Sequence, residues 1–297
     1  MFAPRRSEPT VLFCLGANKA GTTWLYNYLA RHPQCRLPSI KELHYFDAYS
    51  FGRLAAERAR IADRRSSLAD DLANAEGSRA KAKVAQLQEI DDWAKVIAQD
   101  SRDDDAYRSF LFSRAKDARL VADVTPAYAL LPEPVLAQMQ ALAKSVRFLY
   151  ILRDPIDRLW SNIRMNAARI AANADQLATH AFRMFDAWAE GGEGAVAKRS
   201  DYQGTLARLA SAVLPAGLRV EFYERLFTTE AIDRLCAFLG LKPHPADFSQ
   251  AVHAGVAVPL DAARHMRARQ ALAPQYEYVR QTIGDLPPRW RDNMGGF

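Results

Sequence analysis

Phe13-Cys14-Leu15-Gly16-Ala17-Asn18-Lys19-Ala20-Gly21-Thr22-Thr23 is the stretch whose reading decides the fold. It closes an apolar run over residues 11–15 and opens a segment in which Trp24, Leu25, Tyr28 and Leu29 fall on one helical stripe. A strand, a small Gly-bearing turn and a helix together aim backbone N–H groups and the positive helix end at an anion, and Lys19 adds a full charge. The loop departs from the pattern G-x-x-x-x-G-K-[ST]. Gly16 and Gly21 keep its spacing, but Thr22 follows Gly21 and the lysine comes two residues before that glycine. Lys19 therefore approaches a phosphate from the other side of the loop, and no adjacent Lys-Ser/Thr pair is placed to fix magnesium. The competing reading is a plain strand-to-helix turn with a solvated lysine.

Three further apolar, β-rich runs, 120–124, 146–152 and 218–223, are nearly continuous, as strands buried on both faces are. Helical spacing lies between and after them: Ile156, Leu159, Trp160, Ile163; Tyr202, Leu206, Leu209, Val213; Ile232, Leu235, Cys236, Leu239. The alternation predicts an α/β fold, a three-layer α/β/α sandwich around a central parallel sheet, with ligands at the carboxyl ends of the strands. Residues 53–117 differ, being rich in Ala, Arg and Asp with no strand signal. Leu87, Ile90, Trp93, Val96 and Ile97 supply a helical stripe there, which predicts a helical insertion flanking a cleft. The expected organisation is a single domain over 1–297.

The chain has 297 residues and a formal net charge of +6, enough length for a sizeable core and a balance that suits an anionic ligand. The charges are spread rather than run together, and no nucleic-acid motif is present. Three cysteines without a C-x-x-C pattern exclude a disulfide framework and a zinc site and suit a reducing compartment. With no signal-peptide core and no span-length apolar run, the expectation is a soluble, cytoplasmic protein.

Two more segments carry chemistry. Arg153-Asp154-Pro155 follows an apolar run; Asp154 is a good N-cap and Pro155 a good first helical residue. Asp154, Asp157, Arg158 and Ser161 then share a face, and Arg153 sits at a strand's carboxyl end within reach of an anion. An Arg–Asp pair that merely stabilises a helix start is the alternative. Ser39-Ile40-Lys41-Glu42-Leu43-His44-Tyr45-Phe46-Asp47 packs two acids, a histidine and a lysine into one segment. Glu42 and His44 are both candidate general bases. Asp123-Val124-Thr125-Pro126-Ala127-Tyr128 leaves a strand at a proline, either lining the same pocket or simply turning.

Together and in this order, these pieces resemble the sulfotransferases that use 3′-phosphoadenosine 5′-phosphosulfate (PAPS). Lys19-Ala20-Gly21-Thr22-Thr23-Trp24-Leu25 looks like that family's 5′-phosphosulfate loop, and Arg153-Asp154-Pro155 with Arg158 and Ser161 looks like its 3′-phosphate motif. Lys41 to Asp47 and Thr125-Pro126-Ala127-Tyr128 resemble the branch of heparan-sulfate (glycan) O-sulfotransferases and their bacterial relatives. Tyr223-Glu224-Arg225-Leu226 and Phe238-Leu239-Gly240-Leu241 match late family segments. The resemblance spans roughly residues 11 to 290, with 53–117 outside it. It departs near the C-terminus, where a family Lys-Gly loop is replaced by His253-Ala254-Gly255-Val256-Ala257-Val258-Pro259; Arg264 or Arg267 is the candidate substitute.

The resemblance implies a P-loop NTPase-like fold and transfer of a sulfuryl group from PAPS, as cosubstrate and without a metal, to a hydroxyl or amine of a glycan or small molecule. It implies that Lys19, Ala20, Gly21, Thr22, Thr23, Trp24, Arg153, Ser161 and Tyr202 bind the cosubstrate. Glu42 is the implied base with His44 as runner-up, Lys19 stabilises the leaving phosphate, and Lys41, Glu42, His44, Thr125 and Tyr128 face the acceptor. No nucleic-acid or transmembrane partner is expected, and self-association is open. Two alternatives stand beside this reading: a P-loop kinase or NTPase, and a nucleotide-binding protein that keeps the fold without turnover.

Overall fold

The computed structural model describes residues 8–192, 194–249 and 256–295. Five strands, β1 (Thr10–Cys14), β2 (Cys35–Arg36), β3 (Leu120–Val124), β4 (Val146–Leu152) and β5 (Leu218–Phe222), form one parallel sheet in the order β2-β3-β1-β4-β5. β1, β3 and β4 are largely apolar and lie inside the sheet, where helices cover both faces. β5 is an edge and is only half-buried, so it tolerates Arg219 and Glu221. The four strands read from sequence are present, with bounds within one residue; β2, two residues long, carried no periodicity to read.

The topology places the site. After β1 the chain leaves toward β2, and after β4 it leaves toward β5, so adjacent strands send their loops in opposite directions. The crevice at their carboxyl ends is the switch point where open α/β sheets take ligands. The loop after β1 is pinned to β4: Ala17 N–H donates to Ile151 O at 2.8 Å and Ile151 N–H to Gly16 O at 2.6 Å.

The insertion is helical, as expected, with helices Leu54–Ala73, Gly77–Ile97 and Asp104–Ser113. Its first two helices are largely exposed and charged. It nevertheless joins the main core: Trp93 and Tyr107 are fully buried, and Tyr107 stacks on Tyr45 at 4.4 Å. Burying aromatic rings of this size is worth about 2–3 kcal/mol each, enough to seat the insertion on the domain. Among the described residues no helix is long and apolar enough to cross a membrane, and all three cysteines are buried and free.

Candidate active site

The loop after β1 turns through left-handed backbone at Gly16 (φ 112°), Lys19 (φ 70°) and Gly21 (φ 79°). Gly21 has no room for a side chain, since a Cβ would meet the Tyr223 ring at 3.1 Å. Gly21 then opens the helix Thr22–Arg31, which has no side-chain cap. Helix geometry leaves the N–H groups of Gly21 to Trp24 without intrahelical acceptors; Leu25 N–H is the first to bond back, to Gly21 O. Gly21, Thr22, Thr23 and Trp24 line a cavity of about 880 Å³. Ala20 is a correction to the sequence reading: it is buried and its N–H donates to Ala17 O at 3.1 Å, so it is withdrawn from the cavity.

Lys19 also lines this cavity and is half-buried. Its one side-chain partner among the described residues is Met165 Sδ at 3.8 Å. Burial, followed by the charges of Arg153, Arg164, Arg169 and Lys41, presses its pKa below the ordinary lysine value. An ammonium held so is short of an anion.

The turn after β4 brings in Arg153, whose Nη1 donates to Lys19 O at 2.8 Å and whose guanidinium lies 4.8 Å from the Tyr223 ring centre. The two phosphate-type loops are thereby tied together. Asp154 caps the helix Pro155–Ala168 through Asp157 N–H at 2.9 Å. Its carboxylate also accepts from Tyr276 at 2.7 Å and Asn293 at 2.8 Å. Burial pushes Asp154 up to about 7 against those donors. Glu224 receives Asp154 N–H at 2.7 Å, and Trp290 Nε1 donates to the same carboxylate at 2.9 Å. Ser161 lines the cavity from that helix, joined by Arg164 and Arg169, which the sequence reading missed although Arg164 follows Ser161 by one helical turn.

Three expected side chains lie beneath the cavity. Tyr202 is fully buried and donates to Arg153 O at 2.6 Å, so it holds the arginine's backbone rather than a ligand. Thr125 donates to Asp123 at 2.6 Å and Tyr128 to the same carboxylate at 2.8 Å, both buried. Pro126 is the residue of that turn that lines the cavity. Arg158 is likewise buried, donating to Ser200 Oγ. Arg264 and Arg267 do not substitute for the missing lysine: both pair with Asp186, at 2.6 and 2.9 Å. His253, Ala254 and Gly255 lie outside the described residues.

Lys41 and Glu42 line the same cavity. Glu42 (φ 64°) and His44 (φ 54°) are both left-handed, which costs a non-glycine residue about 1 kcal/mol or more each. They flank the buried Leu43. Lys41 Nζ donates to Glu42 Oε1, and His44 Nε2 sits 3.5 Å from Oε2. His44 Nδ1 meets the buried Asp47 carboxylate at 2.9 Å. Burial disfavours charge on both partners, yet the hydrogen bond from His44 and the charge of Lys41 hold Glu42 down at about 2. The bonds to Asp47 and Glu42 likewise overcome burial and lift His44 to about 10. At neutral pH the pair is carboxylate and imidazolium. His44 itself is not among the residues lining the cavity.

Among the described residues the cavity therefore carries five cationic side chains, Lys19, Lys41, Arg153, Arg164 and Arg169, against one carboxylate, Glu42. Trp24 and Phe248 stack along one wall, 5.7 Å apart and 17° from parallel, with Phe227 edge-on to Trp24. A family model described as the sulfotransferase family matches residues 9–245. The chain belongs to the sulfotransferase family.

Solved structures agree with this sulfotransferase in fold. The crystal structure of a sulfotransferase from Alicyclobacillus acidocaldarius is 19% identical, covers 96% of this chain and 100% of its own, and has a TM-score of 0.58. The sulfotransferase domain from the curacin biosynthetic pathway is 19% identical, covers 95% and 100%, and has a TM-score of 0.52. No curated protein matches the chain. Membership makes the protein a transferase with PAPS as its implied cosubstrate and sets aside the kinase and NTPase reading. The residues present fit PAPS: the excess of cations over carboxylates among the described lining residues and the helix N–H groups without intrahelical acceptors suit its phosphates and sulfonate, and the aromatic wall suits a purine.

Proposed function

We propose that this sulfotransferase moves the sulfuryl group of PAPS to a hydroxyl, or an amine, of a glycan or small molecule, with Glu42 as general base. The observation that carries the reading is that, among the described residues, Glu42 is the sole carboxylate lining a cavity that also holds Lys19, a lysine with no carboxylate partner. PAPS supplies the sulfuryl group. Lys19 and the N–H groups at the start of the Thr22–Arg31 helix hold the 5′-phosphate and meet the charge that grows on its leaving oxygen. Arg153 and Ser161 hold the 3′-phosphate. The acceptor oxygen gains the bond to sulfur, and its proton goes to Glu42.

A carboxylate held near 2 is a weak base in the resting site. Lys41 supplies the remedy. Its ammonium bonds Glu42 while itself lining the cavity, so an incoming sulfonate competes for it. As Lys41 turns toward that charge, Glu42 loses a partner and gains basicity where the acceptor arrives. His44, charged and bridged to Asp47, then orients the carboxylate rather than taking the proton.

The test is transfer of labelled sulfate from PAPS to a panel of hydroxylated glycans and small molecules. The expected result is label on at least one acceptor, with ATP and magnesium giving no transfer. Tight binding of 3′-phosphoadenosine 5′-phosphate with no transfer to any acceptor would instead support the protein without turnover.

A further inference from the structure

The segment that bears Glu42 has almost no structure of its own. Among the described residues, positions 37–43 make no backbone–backbone hydrogen bond. Yet Glu42 within it and His44 directly after it are left-handed, and an unsupported loop would relax from that conformation. Its backbone partners are side chains, and most come from the insertion over 53–117.

Each of the three insertion helices contributes. From Leu54–Ala73, Arg60 Nη2 donates to Glu42 O at 2.9 Å and Arg64 Nη2 to Ser39 O at 2.8 Å. Arg60 is itself held by Glu57, a buried carboxylate, through Nε at 2.8 Å. From Gly77–Ile97, the buried Glu89 accepts Ser39 N–H at 2.9 Å. From Asp104–Ser113, Tyr107 stacks on Tyr45 and donates to Asp123 at 2.7 Å. Asp123 also receives Tyr128, whose hydroxyl oxygen accepts Tyr45 N–H at 3.0 Å. The loop is gripped at Ser39, at Glu42 and at Tyr45. The middle grip is on the backbone of Glu42 itself.

We propose that the helical insertion is a clamp that sets the position of Glu42, with Arg60 and Glu89 as positioning residues for turnover. The inference rests on the reading of Glu42 as the base. Among the described residues no insertion side chain hydrogen-bonds Lys19 or Arg153, which hang from the ends of β1 and β4; the Thr22–Arg31 helix hydrogen-bonds the loop only through Tyr26, which donates to Pro38 O at 2.6 Å. Loss of a grip therefore slows transfer and leaves cosubstrate binding intact. A small misplacement of a reacting group costs on the order of tenfold to a hundredfold in rate.

The experiment compares Arg60→Ala, Glu89→Leu, Glu89→Gln, Arg65→Ala and Glu42→Gln in the full chain. It measures kcat, acceptor KM, affinity for 3′-phosphoadenosine 5′-phosphate, and melting temperature. Arg65 pairs with Asp91 at 2.5 Å between the first two insertion helices without touching the loop, so its variant controls for loosening of the insertion. The expected result is kcat lowered about tenfold or more in Arg60→Ala and Glu89→Leu, with affinity for the nucleotide and acceptor KM within about twofold. Glu89→Gln keeps an oxygen for Ser39 N–H and retains most of kcat, and Arg65→Ala retains all of it. If Arg60→Ala does not fold, the contrast between Glu89→Gln and Glu89→Leu decides. Wild-type kcat in Arg60→Ala and Glu89→Leu, with Glu42→Gln inactive, overturns the clamp alone. An active Glu42→Gln overturns the base and the clamp with it.

Discussion

The two sides of the cavity are built in opposite ways. On the proposed cosubstrate side, the loops that follow β1 and β4 present backbone N–H groups and cations such as Lys19 that have no carboxylate partner among the described residues. On the acceptor side every charge is matched: Lys41 with Glu42, Glu42 with His44, His44 with Asp47. On the proposed mechanism, the first side binds the anion it lacks, and the second becomes reactive only when a partner is drawn off. Binding and turnover should therefore be separable by mutation, and several substitutions can break or sharpen that contrast.

The largest effect is expected for Lys19→Ala, which removes charge from both binding and the leaving oxygen. We expect kcat/KM for PAPS to fall by about 10³, a size typical of a lost transition-state donor. Steady-state kinetics with unchanged values would end the idea of an unpaired lysine waiting for phosphate. Arg153→Ala is expected to weaken 3′-phosphoadenosine 5′-phosphate by about 10²-fold, as loss of a charge-assisted phosphate contact does. Calorimetry should show much less loss for adenosine 5′-phosphate, which lacks the 3′-phosphate; equal losses would place Arg153 elsewhere.

Lys41→Ala is expected to shift a pH profile. Burial raises the pKa of Glu42, but His44 and Lys41 together hold it down from 4.5 to about 2. Without the ammonium the acid limb of kcat/KM should move up toward 4.5, and a limb that stays put would show that Lys41 does not restrain the base. The smallest effect concerns stability. His44 rises on folding from 6.5 to about 10, so its contribution is fully present below pH 6.5 and is lost as pH climbs through 10. The loss is on the order of 1 kcal/mol, because a quarter of the side chain is exposed to solvent screening. In His44→Gln, urea unfolding from pH 6 to 10 should lack that decline.

The same contrast explains what the sequence revealed. The cosubstrate side was legible because its parts follow continuous apolar strands at fixed spacing, and Lys19, Arg153 and Ser161 all line the cavity. Tyr202, Thr125 and Tyr128 stand at the right places along the chain but point into the interior, since proximity to a motif does not fix the direction of a side chain. Tyr276, Trp290 and Asn293, which lock Asp154 and Glu224, come from C-terminal helices Ala262–Thr282 and Pro288–Met294. The longer of these is mostly polar and carries Pro274 inside it, so its apolar stripe is faint. The insertion's grip on Ser39 and Glu42 was illegible because it depends on charged side chains, Arg60, Arg64 and Glu89, that look like a solvated face in sequence.

Glu42→Gln tests the division of labour most directly. The amide keeps the size of the side chain and removes its capacity to take a proton. Affinity for 3′-phosphoadenosine 5′-phosphate and single-turnover sulfuryl transfer should be measured on the same preparation. The expected result is affinity within about twofold of wild type and a transfer rate lower by about 10²–10⁴, the range for a lost general base. Transfer at the wild-type rate, or a loss of nucleotide affinity equal to the loss of rate, would contradict the assignment of Glu42.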